Sequence, residues 1–156
     1  MPDLPSLYNE LIRFETELWD AIDARLRAAC NLALGRFEVM RAISRHGQCR
    51  VQDIADELAI TIGGTSKIVD RIEASGYCRR RPNPDDQRSS LIELTPAGEQ
   101  IYAQATGVFE AELERRFGAV LSARSLEQLH RTLRKLRAAG HRFDHHDSAR
   151  AGYDTG

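Results

Sequence analysis

Residues 51–98 constrain this chain more than any other stretch. VQDIADELA puts Ile54, Ala55 and Leu58 on one helical face, and a break at Ile60-Thr61 follows. IGGTSKIVDRIEASG then reads as a second helix with Ile68, Val69 and Ile72 turned inward, closed by Gly76. YCRRRPNPDDQRSSLIELT reads as a basic β-hairpin, with strands over residues 77–81 and 89–94 and a turn-rich tip at Pro82-Asn83-Pro84-Asp85. A helix-turn-helix exposes one helix end to a DNA groove, and a basic hairpin beside it reaches the backbone or the next groove. The order of these pieces points to double-stranded DNA as the partner.

Helical patterns flank this module. Leu4, Leu7, Leu11, Leu18, Ile22 and Leu26 form a stripe widened by Tyr8, Ile12 and Trp19. A helix to about residue 29 would be ~39 Å long at 1.5 Å per residue. LGRFEVMRAISRH, residues 34–46, has Phe37, Met40 and Ile43 inward, and Gly47 fits its stop. Cys49-Arg50-Val51 is a short extended piece. Thr95 as N-cap and Pro96 at the first helical position start a long helix to about residue 121. Ser122 or Ser125 starts a last helix carrying Leu126, Leu129, Leu133 and Leu136, which Gly140 is expected to end.

The expected fold is mainly α with a small β-wing: a winged helix-turn-helix DNA-binding lobe at about 34–95, with dimerisation helices at about 4–29 and 96–140. Residues 141–156 read as a polar, flexible C-terminal tail. The two outer stripes together exceed what one chain of 156 residues needs to cover. A two-fold homodimer would bury them and set two recognition helices on successive major-groove faces of a pseudo-palindrome.

Composition bounds the alternatives. Net charge is -1, so no overall basic excess advertises nucleic acid. Residues 61–95 carry Lys67, Arg71, Arg79, Arg80, Arg81 and Arg88 against Asp70, Glu73, Asp85, Asp86 and Glu93, so the basic signal is local. No apolar run has the length of a membrane span, and no basic-then-apolar leader opens the sequence. A cytoplasmic protein is the default expectation. Cys30, Cys49 and Cys78 form no CxxC pair, so neither a disulfide framework nor a zinc ribbon is indicated. No Ser/His/Asp pattern, phosphate-cradling glycine loop or HExxH is present, so neither an enzyme nor a cofactor is expected.

Asp86, a one-residue gap, Arg88 and then LIELTPAG resemble the wing of the MarR family of winged-helix transcription regulators, and Val69-Asp70-Arg71-Ile72-Glu73 followed by Gly76 resembles the end of that family's recognition helix. The resemblance covers roughly residues 4–140. Two departures stand out. Gln87 replaces an arginine that many members carry, and Gly63-Gly64 occupies the first turn of the recognition helix, where glycine costs about 1 kcal/mol against alanine. Those glycines either admit DNA backbone or are tolerated near the helix end.

The resemblance and the 100° steps together nominate the interface residues. Gly63, Ser66, Lys67 and Asp70 point outward from the recognition helix; Gly64, Thr65 and Arg71 join them as candidate contacts, and Thr61 caps the helix toward a phosphate. Lys67 reads guanine or holds a phosphate. Arg88 resembles the family's minor-groove arginine, with Asp86 orienting it or stiffening the turn. Arg79, Arg80 and Arg81 alternate along a strand, so at most two face DNA, on phosphates. Relatives in the family bind small aromatic acids between their dimerisation helices and DNA lobe. Trp19 would line such a pocket and Arg13 pair the carboxylate of the effector, although Trp19, Arg13 and Asp23 are read as facing different sides of the first helix; plain core is the competing reading for Trp19. Cysteine oxidation, or metal at His141, His145 and His146 near Asp144 and Asp147, would make a redox- or metal-responsive regulator of the same fold. Small buried apolar cysteines and a metal-free tail are expected instead. A winged helix used only for protein contact is the remaining alternative.

Overall fold

A computed structural model describes residues 1 and 3–151, with side chains through 141. The order is α1 (Leu4–Cys30), α2 (Leu34–His46), α3 (Val51–Leu58), α4 (Ile62–Ala74), β1 (Cys78–Pro82), β2 (Ser90–Leu94), α5 (Pro96–Leu113), a π-helical turn (Glu114–Gly118) and α6 (Ala123–Ala151). The chain divides into two compact units, Met1–Glu112 and Leu113–Gly156.

The first unit is built around α2. Phe37, Val39, Met40, Ala42 and Ile43 are all buried there, so the apolar stripe of this helix is broad and lies in the core, while Arg36, Glu38, Arg41 and Arg45 occupy its remaining face. Phe37 meets Tyr102 and Phe109 of α5 at ring-centroid distances of 5.7 and 5.0 Å. Ile54 and Ala55 from α3, Val69 and Ile72 from α4, and Ile92 from β2 complete the core. The helix ends follow local chemistry. Asp23 accepts the Leu34 N–H at 2.9 Å and so tethers α1 to the start of α2. Gly47 ends α2 at φ 74°. Ala59 makes the turn between α3 and α4 in the left-handed region at φ 53°, which alanine adopts only at a cost. The Thr61 hydroxyl then caps α4 by accepting the Gly64 N–H at 3.1 Å.

β1 and β2 pair antiparallel, with Cys78 opposite Leu94, Arg80 opposite Ile92 and Pro82 opposite Ser90. Cys49 adds a one-residue bridge to Ile92, exchanging N–H···O bonds of 3.1 and 2.7 Å, so the short extended piece before α3 becomes the third edge of the wing. Thr95 locks the wing's base: its hydroxyl donates to the Gly76 carbonyl at 2.6 Å and accepts the Gly98 N–H at 3.1 Å.

Two outer faces stay uncovered within their own units. Only Ile22 and Leu26 of α1 are buried, while Leu4, Leu7, Tyr8, Leu11 and Ile12 are exposed. In the second unit Ser122 caps α6 by accepting the Ser125 N–H at 3.2 Å, and Leu133 and Leu136 are exposed. Gly140 does not end α6, which runs on to Ala151. Gly140 keeps a negative φ, and no proline comes after it, so one glycine costs helix stability without stopping it. The expected tail chemistry at Asp144, His145, His146 and Asp147 lies outside the described side chains.

Candidate nucleic-acid interface

The face of α4 left uncovered by the core carries Gly63, Lys67, Asp70 and Arg71, with Ser66 half-buried beside them. Thr65 does not belong to it. Its side chain is fully buried and its hydroxyl donates to the Thr61 carbonyl at 2.8 Å, because position 65 lies four residues before buried Val69 and shares its inward stripe. Gly64 is half-buried, and an added Cβ would sit 3.0 Å from the capping Thr61 hydroxyl. Gly63 has open space on that side, so its backbone is accessible.

A cleft of about 310 Å³ joins this helix start to the wing. Ile62 and Ser66 of α4, Arg80, Arg88, Ser89 and Ser90 of the wing, and Arg50, Val51 and Gln52 at the start of α3 line it. Arg50, Gln52, Ser89 and Ser90 carry no local sequence signal for this role, because only the tertiary fold sets the start of α3 against the hairpin tip. Arg50 is held by Asp53 at 2.8 Å; that contact keeps the Asp53 carboxyl below the usual carboxylate range.

The hairpin tip is internally braced. Asn83 donates to the Ser89 hydroxyl at 2.9 Å and accepts the Asp85 N–H at 3.0 Å. Asp86 accepts the backbone N–H of Arg88 at 2.9 Å, so it stiffens the turn and leaves the Arg88 guanidinium without an acidic partner among the described residues. The three consecutive arginines divide as strand alternation requires. Arg79 and Arg81 both pair with Glu93, which also accepts a hydrogen bond from Gln48 at 3.0 Å, and Arg79 leads in holding the Glu93 carboxyl low. Arg80 points the other way, to Asp70 and Glu73 of α4 at 2.6 and 2.8 Å. Of the three arginines, at most two of which were expected on phosphates, Arg80 has both η nitrogens engaged by acids, and its side chain is three-quarters covered.

A second, larger cleft of about 650 Å³ is lined by Trp19, Asp23, Arg27, Asn31, Ala33, Gly35, Arg36, Ile68 and Arg71. Trp19 and Asp23 do share a face, four residues apart. Arg13 is exposed and does not join them. Asp23 pairs with Arg27 at 2.7 Å, and the Leu34 N–H is the main cause that holds its carboxyl below the ordinary range. Arg36 and Arg71 have no acidic partner among the described residues. Arg71, a candidate DNA contact by sequence, and Arg36, which no sequence pattern singles out, are both cations of this cleft.

The thiols are poorly suited to sensing. Cys49 and Cys78 are buried, and burial pushes each up to about 11; burial also raises Cys30. Little thiolate exists at neutral pH in such sites. Among the described residues no group of three or more His, Cys, Asp or Glu is placed to hold a metal ion. No described helix is long and apolar enough to cross a membrane.

A helix-turn-helix followed by a two-stranded wing, with lysine and arginine on the exposed edge, defines a winged-helix protein. The MarR family model matches residues 32–90, the helix-turn-helix and most of the wing. The multiple antibiotic resistance protein MarR of Salmonella typhimurium is 24% identical over 142 residues, 87% of this chain and 99% of its own. The HTH-type transcriptional regulator YfiV of Bacillus subtilis is 28% identical over 99 residues, 64% of this chain and 56% of its own. Among solved structures, a MarR family transcriptional regulator from Streptomyces coelicolor in complex with DNA superposes with a TM-score of 0.81 at 18% identity, over 89% of this chain and 93% of that one. A mutant MarR from Escherichia coli complexed with operator DNA gives 0.72 at 23% identity, over 86% and 99%. Over residues 32–90 the chain is similar to the MarR family, and the relatives it matches include transcriptional regulators.

Proposed function

We propose that this protein is a repressor that binds a pseudo-palindromic operator as a homodimer and releases it when a small organic anion enters the Trp19 cleft. The observation that carries the DNA-binding part is the shared cleft of Ile62 and Ser66 with Arg50 and Arg88: the start of α4 and the wing present one continuous basic edge. In this reading Lys67, Ser66 and Gly63 enter the major groove, Arg88 reaches the minor groove, and Arg50 and Gln52 approach phosphate. Two proteins of the same fold have been solved with DNA, which supports DNA as the partner.

Two features support dimerisation and release. The α1 face bearing Leu4, Leu7, Tyr8, Leu11 and Ile12 is apolar and exposed. α1 also carries Glu10, Glu15, Glu17 and Asp20, of which Glu15 borders the apolar stripe, while α6 carries Arg124, Arg131, Arg134, Lys135 and Arg137, an opposite charge balance that suits a second copy of the chain. The Trp19 cleft contains residues of α1, α2 and α4, so an occupant that pairs with Arg36 and Arg71 contacts the recognition helix directly. Its differential affinity for two arrangements of α4 would supply the switch.

The test is a titration of fluorescent duplexes selected from a random pool by the full chain, with and without benzoate as the aromatic-acid probe. Salt-sensitive binding by a dimer, weakened by benzoate in the wild type and not in Arg71→Gln, is expected. Absence of duplex binding refutes the DNA-binding reading. Benzoate-independent binding refutes release by an aromatic acid.

A further inference from the structure

We propose that Arg80 is the positioning residue of this interface: it locks the wing to the recognition helix through Asp70 and Glu73, so that these acids promote specific DNA binding instead of opposing it. The proposal rests on the DNA-binding reading above.

The geometry is that of a two-point clamp. Arg80 Nη1 donates to Glu73 Oε1 at 2.8 Å, Nη2 donates to Asp70 Oδ1 at 2.6 Å, and its backbone N–H donates to Glu73 Oε2 at 3.2 Å. Asp70 and Glu73 are three residues apart and so neighbour one another on α4. A planar guanidinium bridging two such points restrains the rotation of the strand against the helix as well as their separation; an ammonium has no such fork. Arg80 is 25% exposed, the least of the three partners, and burial alone would lower its pKa, yet Asp70 and Glu73 hold it above its ordinary value.

Charge bookkeeping gives the same answer. Asp70 lies on the outward face of α4 with Lys67, and it is 62% exposed. An uncompensated carboxylate there would repel phosphate. Paired with Arg80, it becomes part of the hinge that sets the spacing between Lys67 on the helix and Arg88 on the wing. That spacing must match two adjacent grooves, so loosening it costs specific binding more than non-specific attraction.

The experiment compares the full chain with Glu73→Gln, Asp70→Asn, Arg80→Lys and Arg80→Ala. Each is titrated on the selected duplex and on a scrambled duplex of equal length. The clamp predicts that each acid variant loses about three- to tenfold on the selected duplex, as befits partly exposed ion pairs, while the scrambled duplex binds equally or better. Arg80→Lys should recover only part of the loss in Arg80→Ala. Tighter binding of both duplexes by Glu73→Gln and Asp70→Asn overturns the proposal, because the acids then merely repel DNA. Equal loss on both duplexes in Arg80→Ala overturns it too, because Arg80 then holds phosphate. Amide exchange on the unbound full chain is independent of DNA. Residues 78–81 and 90–94 should exchange about three- to tenfold faster in Arg80→Ala and Glu73→Gln, with residues 37–43 of α2 unchanged; unaltered wing exchange overturns the clamp. Where the wild type binds neither duplex, the DNA-binding reading falls, and the exchange measurement alone decides whether the lock exists.

Discussion

Gly98→Ala should damage the wing from outside the interface. A Cβ at Gly98 would lie 1.9 Å from the Tyr77 carbonyl oxygen and 2.8 Å from its carbon, and Cβ contacts under 3.0 Å are essentially never seen. The start of α5 or the Tyr77 peptide must retreat by about 1 Å, the scale of shift that overpacking forces. Neither is free to do so. The Tyr77 carbonyl accepts the Thr95 N–H at 3.0 Å, the Tyr77 N–H donates to Ile72 of α4 at 3.1 Å, and Thr95 ties Gly76 to Gly98. Overpacking against backbone costs about 1–3 kcal/mol, and each strained hydrogen bond adds about 1 kcal/mol. Alanine's better helix propensity returns about 1 kcal/mol. With one such hydrogen bond strained, the net expectation is a loss of about 1–3 kcal/mol. Gly107→Ala in the same helix is the control, since nothing lies within 4 Å of its Cβ; it should gain about 0.5–1 kcal/mol. Urea melts at matched protein concentration measure both, because a dimer's midpoint depends on concentration. Amide exchange of β1 and β2 should rise in Gly98→Ala alone. If Gly98→Ala is as stable as wild type, the close approach of α5 to Tyr77 does not constrain the wing and the reasoning fails.

Leu11→Glu should yield monomers in sedimentation and abolish operator binding, since Leu11 lies in the exposed stripe of α1; wild-type monomers at micromolar concentration would remove the case for a dimer. Arg88→Ala should lose more affinity on operators with A·T-rich flanks than on G·C-rich ones, because a narrow groove concentrates negative potential, and equal losses would put Arg88 on phosphate. Asp23→Asn should destabilise by about 1–2 kcal/mol at pH 7 by weakening the acceptor for Leu34. The folded-state pKa of Asp23 is depressed, so this stabilisation is complete above the unfolded value near 4 and is lost as pH falls through the folded one. Urea midpoints of mutant and wild type should therefore converge as pH falls through the depressed folded-state pKa of Asp23, and a gap that stays constant into strong acid would contradict the carboxylate's role.

Periodicity and end signals made most of the fold legible. The second helix, residues 34–46, coincides with α2 because Gly47 and an amphipathic repeat bracket it on both sides. Thr95-Pro96 and Ser122 marked helix starts because capping is local chemistry. Gly140 misled because a glycine stops a helix only where the chain adopts a left-handed turn, and that depends on the residues C-terminal to it. The π-helical turn at Glu114–Gly118 left no sequence signal, since its residues suit an ordinary helix.

The site was legible by residue type and not by pairing. Strand alternation divides Arg79, Arg80 and Arg81 into two faces, but it does not say that Glu93 lies across from two of them and that α4 offers Asp70 and Glu73 to the third. Thr65 was misplaced because a threonine near a helix start reads as polar, while its γ-oxygen can be satisfied by the Thr61 carbonyl and its methyl buried. Arg36 and Arg71 are thirty-five residues apart and meet only because α2 and α4 both flank the Trp19 cleft. Each of these errors comes from the same physics. A side chain's charge is set by its type, whereas its availability to a partner is set by which long-range neighbour has already engaged it. In this wing nearly every arginine has such a neighbour, and Arg88 is the exception, with no acidic partner for its guanidinium among the described residues.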